Sequence, residues 1–119
     1  MNKVEKFEDL KCWQNARDLA KSVFLIGIDN LKDLSLQSQL RRAALSTMNN
    51  IAEGFARFSR KDFIKFLDYS QSSSSEEKSM LYLLEDLKYL GQDELDELHL
   101  KVDNRCKLTL GLIKYLKSN

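Results

Sequence analysis

The sequence predicts an all-α protein: an up-down-up-down antiparallel bundle of four helices, a single domain over residues 1–119. Three observations carry that expectation. Proline is absent and only four glycines occur in 119 residues, which disfavours a turn-rich β fold. Apolar residues recur at spacings of three and four through four separate segments, the period of a helix with one buried face. The breaks between segments are short, and helices joined that way pack as antiparallel neighbours. With 43% hydrophobic residues, a chain of this length can bury roughly two-thirds of its unfolded surface without staples. Nothing repeats internally and no linker marks a second domain.

The first helix is expected from about Asp9 to Ile26, where Leu10, Trp13, Ala16, Ala20, Val23 and Phe24 keep helical spacing. Gly27 to Ser35 reads as a loop, with Asp29-Asn30 as its turn. The second helix runs from Leu36 to near Arg57. Ser59-x-x-Asp62 reads as a capping box for the third, which carries Phe63, Phe66, Leu67, Ser70, Met80, Leu81, Leu84 and Leu87 and stops near Gly91. If unbroken, that helix has about 30 residues and spans ~45 Å. Residues 71–75 include a run of serines that taken alone reads as a loop, because serine is a modest helix former. Apolar spacing resumes in phase afterwards, which favours continuity. Asp93 can cap the fourth helix, lined by Leu95, Leu98, Val102, Cys106, Leu110, Ile113 and Leu116.

The second helix carries two stripes. Leu36, Leu40, Ala43, Ala44, Thr47, Met48, Ile51 and Phe55 form a broad apolar face. Gln39, Arg42, Ser46, Asn50, Glu53 and Arg57 form a narrow, wholly polar one. Three readings of the polar stripe stand. It is a solvated face with a Glu53–Arg57 i,i+4 pair worth ~0.3–0.5 kcal/mol. Or it is a structural network, with Ser73 and Glu76 of the third helix facing Arg42, Ser46 and Asn50 across an antiparallel contact. Or it is a binding surface in which Arg42 and Arg57 reach a phosphate backbone or another subunit. The short Ser and Asn side chains favour close contacts over exposure. Gly54 points the same way, since glycine costs ~1 kcal/mol in a helix interior unless a neighbour approaches closely. Were the network buried, Glu76→Ala and Arg42→Ala would each lower the melting temperature by many degrees.

Gln39-Leu40-Arg41-Arg42-Ala43-Ala44-x-Ser46 followed by Asn50-Ile51-Ala52-Glu53-Gly54-x-x-Arg57-x-Ser59 resembles the signature of the bundle proteins encoded in intervening sequences of bacterial 23S ribosomal RNA genes. That family also contains the accessory variability determinant proteins of diversity-generating retroelements. Phe7-x-Asp9-Leu10-x-x-Trp13-Gln14-x-Ala16 resembles its opening, and Phe63-x-x-Phe66-Leu67 with Ser73-x-x-Glu76 its third helix. The chain departs at Ser72, where the family commonly has glycine, and at Glu77, where it usually has an apolar residue. The resemblance implies a four-helix bundle, an unbroken third helix and a cyclic homo-oligomer, a pentamer. It also implies partners among RNA, DNA or a nucleic-acid enzyme such as a reverse transcriptase. Trp13, Phe7 and Tyr69 are candidate interface aromatics.

Several chemistries find no support. The lone histidine, His99, has Asp96 three residues before it but no second such pair, whereas a bundle di-iron site needs two Glu-x-x-His pairs. Arg105 has no histidine after it, as a helical HEPN-type nuclease would require. No phosphate-binding glycine loop or nucleophile elbow occurs. Cys12 and Cys106 with one histidine cannot complete an ordinary zinc site and read as packed free thiols. Glu76, Glu77, Glu85, Asp86, Asp93, Glu94, Asp96 and Glu97 read mostly as a solvated acidic face. We therefore expect no catalytic residues, no metal, no cofactor and no small-molecule substrate. No apolar run approaches the ~20 residues of a membrane span, and the first residues lack a signal peptide's apolar core. The expected location is cytoplasmic.

Net charge is +1, but it is segregated. Residues 41–65 hold Arg41, Arg42, Arg57, Arg60, Lys61 and Lys65 against Glu53 and Asp62. Residues 66–100 are strongly acidic, and residues 101–119 are basic again. Arg41, Arg57, Arg60, Lys61 and Lys65 are the candidate nucleic-acid contacts. The expected function is a non-catalytic oligomeric module, an adaptor for nucleic acid or a nucleic-acid enzyme. The alternative is a protein-interaction scaffold without nucleic-acid affinity.

Overall fold

The computed structural model describes residues 4–26 and 34–118. A 3₁₀ turn, Phe7–Asp9, leads into α1 (Lys11–Phe24), α2 (Leu34–Phe55), α3 (Arg60–Asp86) and α4 (Gln92–Ser118). The turn expected at Asp29-Asn30 lies outside the described residues. α1 and α3 each pack against both α2 and α4, and the diagonal pairs share the core without close backbone approach. Contacts run in opposite order along α2–α3, along α3–α4 and along α1–α4, where Cys12 meets Thr109 and Asp18 meets Lys101. Arg42 meets Glu76 while Ser46 meets Ser73; Gln71 meets Arg105 while Lys78 meets Asp103. The bundle is therefore antiparallel throughout, 46 Å long and 22 by 19 Å across.

The third helix is continuous through its serines. Ser70, Ser73 and Ser74 are buried against the bundle, and the Ser70 hydroxyl donates to the Thr47 carbonyl at 2.7 Å. Small hydroxylated side chains let α2 and α3 lie close, and Ser70 and Ser73 satisfy their hydroxyls there while the buried Ser74 Oγ makes no hydrogen bond. Ser59 caps the helix, its Oγ accepting the Asp62 amide at 3.1 Å.

α3 ends at Asp86, short of the stop expected near Gly91. Its terminus is a Schellman motif: the Lys88 amide donates to the Glu85 carbonyl and the Tyr89 amide to the Leu84 carbonyl. Lys88 holds the left-handed position usually given to glycine, with φ 57°. An L side chain costs roughly 1–2 kcal/mol there. Lys88→Gly is thus expected to raise the melting temperature by a few degrees in a thermal scan; a fall would mean that the Lys88 side chain stabilises the turn by more than it strains it.

Two apolar clusters fill the bundle. One gathers Leu19, Val23, Leu40, Ala44, Leu81, Leu84, Leu95, Leu98 and Val102. The other gathers Leu10, Cys12, Ala16, Ile51, Leu67, Leu112 and Ile113. The expected inner face of α4 needs correction. Arg105, Thr109 and Leu112 face inward, Cys106 is only partly buried, and Leu110 is exposed. The slot between Val102 and Ile113 is held by polar side chains, because it lies between the two apolar clusters.

Candidate functional site

Thr47 from α2, Ser70, Ser74 and Glu77 from α3, and Arg105 and Thr109 from α4 are all fully buried. They form a polar layer between the apolar clusters. Arg105 organises the α4 side. Its Nη1 donates to Thr109 Oγ1 at 2.8 Å and Ser70 Oγ at 3.3 Å. Its Nη2 donates to Gln71 Oε1 at 2.8 Å and Cys106 Sγ at 3.2 Å. Gln71 Nε2 returns a bond to the Cys106 carbonyl at 3.2 Å. Ser70 then links this group to Thr47, whose hydroxyl lies 2.8 Å from Glu77 Oε1.

Burial pulls the Arg105 pKa down, opposed by nearby Cys106 and Glu77. Burial likewise pushes the Cys12 thiol up, against a hydrogen bond with Thr109 and the Arg105 charge. Glu77 is raised most, to about 7, by burial; the Thr47 bond and the Arg105 charge only partly oppose it. Glu77 and Arg105 are corrections to the sequence reading, which placed the first among mostly solvated acids and the second in the basic block of residues 101–119. The signal was present. Glu77 follows Ser73 by four and precedes Leu81 by four, and Arg105 follows Val102 by three and precedes Thr109 by four. Both therefore occupy the buried register of their helices.

The polar stripe lies over the outer edge of this layer. Arg42 Nη2 is 3.2 Å from Glu76 Oε2. Ser46 and Ser73 share a 2.8 Å hydrogen bond, and Asn50 Nδ2 donates to the Ser46 carbonyl at 2.8 Å and to its hydroxyl at 3.1 Å. The Arg42 and Glu76 side chains are 60% and 51% exposed. Water screens such a pair to at most ~1 kcal/mol, so neither alanine substitution is expected to cost the many degrees a buried network would. Gln39 is exposed and borders a shallow surface depression with Ser72, Ser75, Glu76 and Ser79. Glu53 is exposed, and among the described residues no ion pair joins it to Arg57. Arg57 lies beyond the end of α2, its guanidinium 4.6 Å from the centre of the Phe66 ring.

Gly54 is buried where α2 meets α3. A Cβ there would sit 2.7 Å from Phe66 Cβ, 3.0 Å from the Phe63 ring and 3.3 Å from the Phe63 carbonyl. The absent side chain permits the approach that the sequence suggested.

The α2–α3 turn gathers most of the candidate cations. Arg57, Arg60, Lys61 and Lys65 are exposed around it, and Phe58 projects from it with 109% relative exposure. Arg41 does not belong to this group. It lies ~20 Å back along α2 at 1.5 Å per residue, stacked 5.0 Å from the Phe24 ring and donating to the Phe24 carbonyl. Antiparallel packing also brings the Lys114 and Lys117 end of α4 towards the α2–α3 turn. Glu85, Asp86, Asp93, Glu94, Asp96 and Glu97 lie at the opposite end. The charge blocks of the sequence thus become a basic patch around the α2–α3 turn, with Glu5, Glu8 and Asp9 at the same end of the bundle, and an acidic opposite end.

Other candidates are accounted for. Phe7 and Trp13 pack edge to face at 5.0 Å beside the second apolar cluster, whereas Tyr69 is exposed. His99 is partly buried, 4.8 Å from the Tyr82 ring, and burial lowers its pKa. Among the described residues no group of three or more His, Cys, Asp or Glu side chains is placed to share a metal ion. No helix among them is long and apolar enough to cross a membrane.

Residues 8–111 match the family described as 23S rRNA-intervening sequence protein. The chain belongs to that family. A solved structure with the same fold is that of a protein of unknown function from the S23 ribosomal protein family of Bacteroides thetaiotaomicron, with a TM-score of 0.81 and 22% identity. The match covers 87% of this chain and 98% of that one. Curated proteins gave no match. In this intervening-sequence protein the polar layer lies within the matched residues.

Proposed function

We propose that this protein is a non-catalytic, homo-oligomeric binding module that engages nucleic acid, or an enzyme working on it, through the α2–α3 turn. The observation that carries this reading is Phe58, fully exposed among Arg57, Arg60 and Lys61, with Lys65 one turn on. An exposed aromatic among cations is the combination by which proteins hold single strands, bases stacking on the ring and phosphates meeting the charges. The turn also opens α3, whose N-terminal dipole adds positive potential. The resemblance to retroelement accessory proteins supports an enzyme of nucleic-acid metabolism as co-partner.

Self-assembly fits the same frame. The basic patch at one end, the acidic side chains at the other and exposed Tyr69, Leu83, Leu100 and Leu108 suit a heterologous interface. Closing such an interface into a ring leaves no free ends, and the pentamer is the ring the family resemblance suggests. A second reading, a scaffold without nucleic-acid affinity, is favoured by the balanced total charge of +1.

Purified protein is expected to bind single-stranded RNA or DNA more tightly at low than at physiological salt, as phosphate contacts require. The triple variant Arg57→Ala/Arg60→Ala/Lys61→Ala should bind about tenfold or more weakly and show a shallower salt dependence, with unchanged oligomeric mass. No binding at low salt by a well-formed oligomer would assign the protein to the scaffold reading.

A further inference from the structure

We propose that Glu77 is a proton-binding site built into the bundle, held as the neutral acid in the folded protein, and that its ionisation loosens the α2–α3 contact beneath the polar stripe.

The hydroxyl of Thr47 has one proton and two close acceptors, the Ala43 carbonyl at 2.9 Å and Glu77 Oε1 at 2.8 Å. With Glu77 ionised, one proton must serve both contacts. With Glu77 protonated, its carboxyl donates to Thr47 and Thr47 donates to Ala43, so each contact has its own proton. The second carboxyl oxygen, Oε2, is buried and without a hydrogen-bond partner. A bare oxygen is far less costly on a neutral acid than on a carboxylate.

The groups facing Glu77 compensate a charge only in part. From α2 it meets Thr47, while Arg42 is turned outward to Glu76. From α4 it feels Arg105, whose Nη1 and Nη2 are committed to Ser70, Thr109, Gln71 and Cys106 and whose buried Nε makes no hydrogen bond to Glu77 or to any other group. Asp103 of α4 is paired outside with Lys78 of α3. α1 makes no close backbone approach to α3. Burial accordingly dominates and lifts Glu77 to about 7.

In the unfolded chain Glu77 returns to its ordinary value of 4.5. Between 4.5 and about 7 the folded protein holds a proton that the unfolded chain has released. This group's contribution to stability is therefore full below pH 4.5, falls as pH rises towards 7, and is constant beyond. The site sits directly behind the stripe: Glu77 adjoins Glu76, and Thr47 adjoins Ser46, which bonds to Ser73. Ionisation thus acts on the turns that hold Arg42 and Ser46 against α3.

Three measurements test this. In wild-type protein carrying 13C-labelled glutamate, one side-chain carboxyl should titrate near neutrality; every carboxyl titrating in the ordinary acidic range would overturn the proposal. Relative to Glu77→Gln, the wild-type unfolding constant should rise roughly 50- to 100-fold between pH 5 and pH 8. Parallel profiles for the two proteins would also overturn it. If Glu77→Gln fails to fold, the wild-type titration still decides the first claim. Central amides of α2 and α3 should lose hydrogen-exchange protection above the carboxyl's midpoint, and unchanged protection would refute the loosening.

Discussion

Arg105→Ala is expected to lower the melting temperature by about 12–20 °C, the equivalent of ~3–5 kcal/mol in a domain of this size. The substitution empties the volume of a fully buried side chain and removes four hydrogen bonds at once. The stranded partners are partly protected. Ser70 still donates to the Thr47 carbonyl, Thr109 to the residue 105 carbonyl and Gln71 to the Cys106 carbonyl. Much of the loss is therefore the cavity and the charge-assisted part of the bonds. Arg105→Met separates the two contributions: it fills the space without the charge and is expected to recover more than half of the lost stability. Equal melting temperatures for the two variants would show that hydrogen bonds, rather than volume, hold the layer together. Loss of Arg105 also removes the one favourable charge near Glu77, so the Glu77 titration should move still higher.

Gly54→Ala is expected to destabilise the protein by ~1–3 kcal/mol, the usual cost of overpacking, although alanine recovers ~1 kcal/mol of helix propensity. The sign follows from what the methyl would meet. Phe66 Cβ, at 2.7 Å, is tied to the α3 backbone and cannot swing aside as a flexible side-chain end could. The Phe63 carbonyl at 3.3 Å bars a shift on the other side. α2 and α3 must therefore separate, which also disturbs the Phe55–Phe63 edge contact at 5.9 Å. Gly54→Val should cost more, since two further methyl groups enter the same gap. A rise in melting temperature for the alanine variant would mean that the helices part easily at this end.

How much of this was legible in the sequence depended on whether a residue departed from its default environment. Gly54 announced a close approach because a glycine inside a helix is costly without one. The serine run could be placed in a helix because Leu81 and Leu84 resumed the phase of Leu67 and Ser70. The facing of Ser46, Ser73, Arg42 and Glu76 followed from antiparallel packing of two helices joined by a short turn. The polar layer was hidden by a sound generalisation, that glutamate and arginine are almost never fully buried. On α4 the apolar Leu110 competed for the register that Arg105 and Thr109 occupy. The register of Glu77 with Leu81 and of Arg105 with Val102 pointed inward, as did the departure at Glu77 from the family's usual apolar residue, and these gained meaning once Thr47 and Arg105 lay beside Glu77. Exposure of Phe58 was likewise invisible, because an aromatic next to a capping serine reads equally well as the start of a buried face.

The reading of the protein as a nucleic-acid module rests on one surface, and mapping that surface tests it most directly. Backbone resonances of the intact protein would be followed by NMR as a single-stranded oligonucleotide is added at low salt. The account predicts perturbations concentrated at Arg57, Phe58, Arg60, Lys61 and Lys65, reversed by added salt and abolished by Phe58→Ala together with the three cation substitutions. Perturbations confined to other faces, or none at all from a well-formed oligomer, would contradict it.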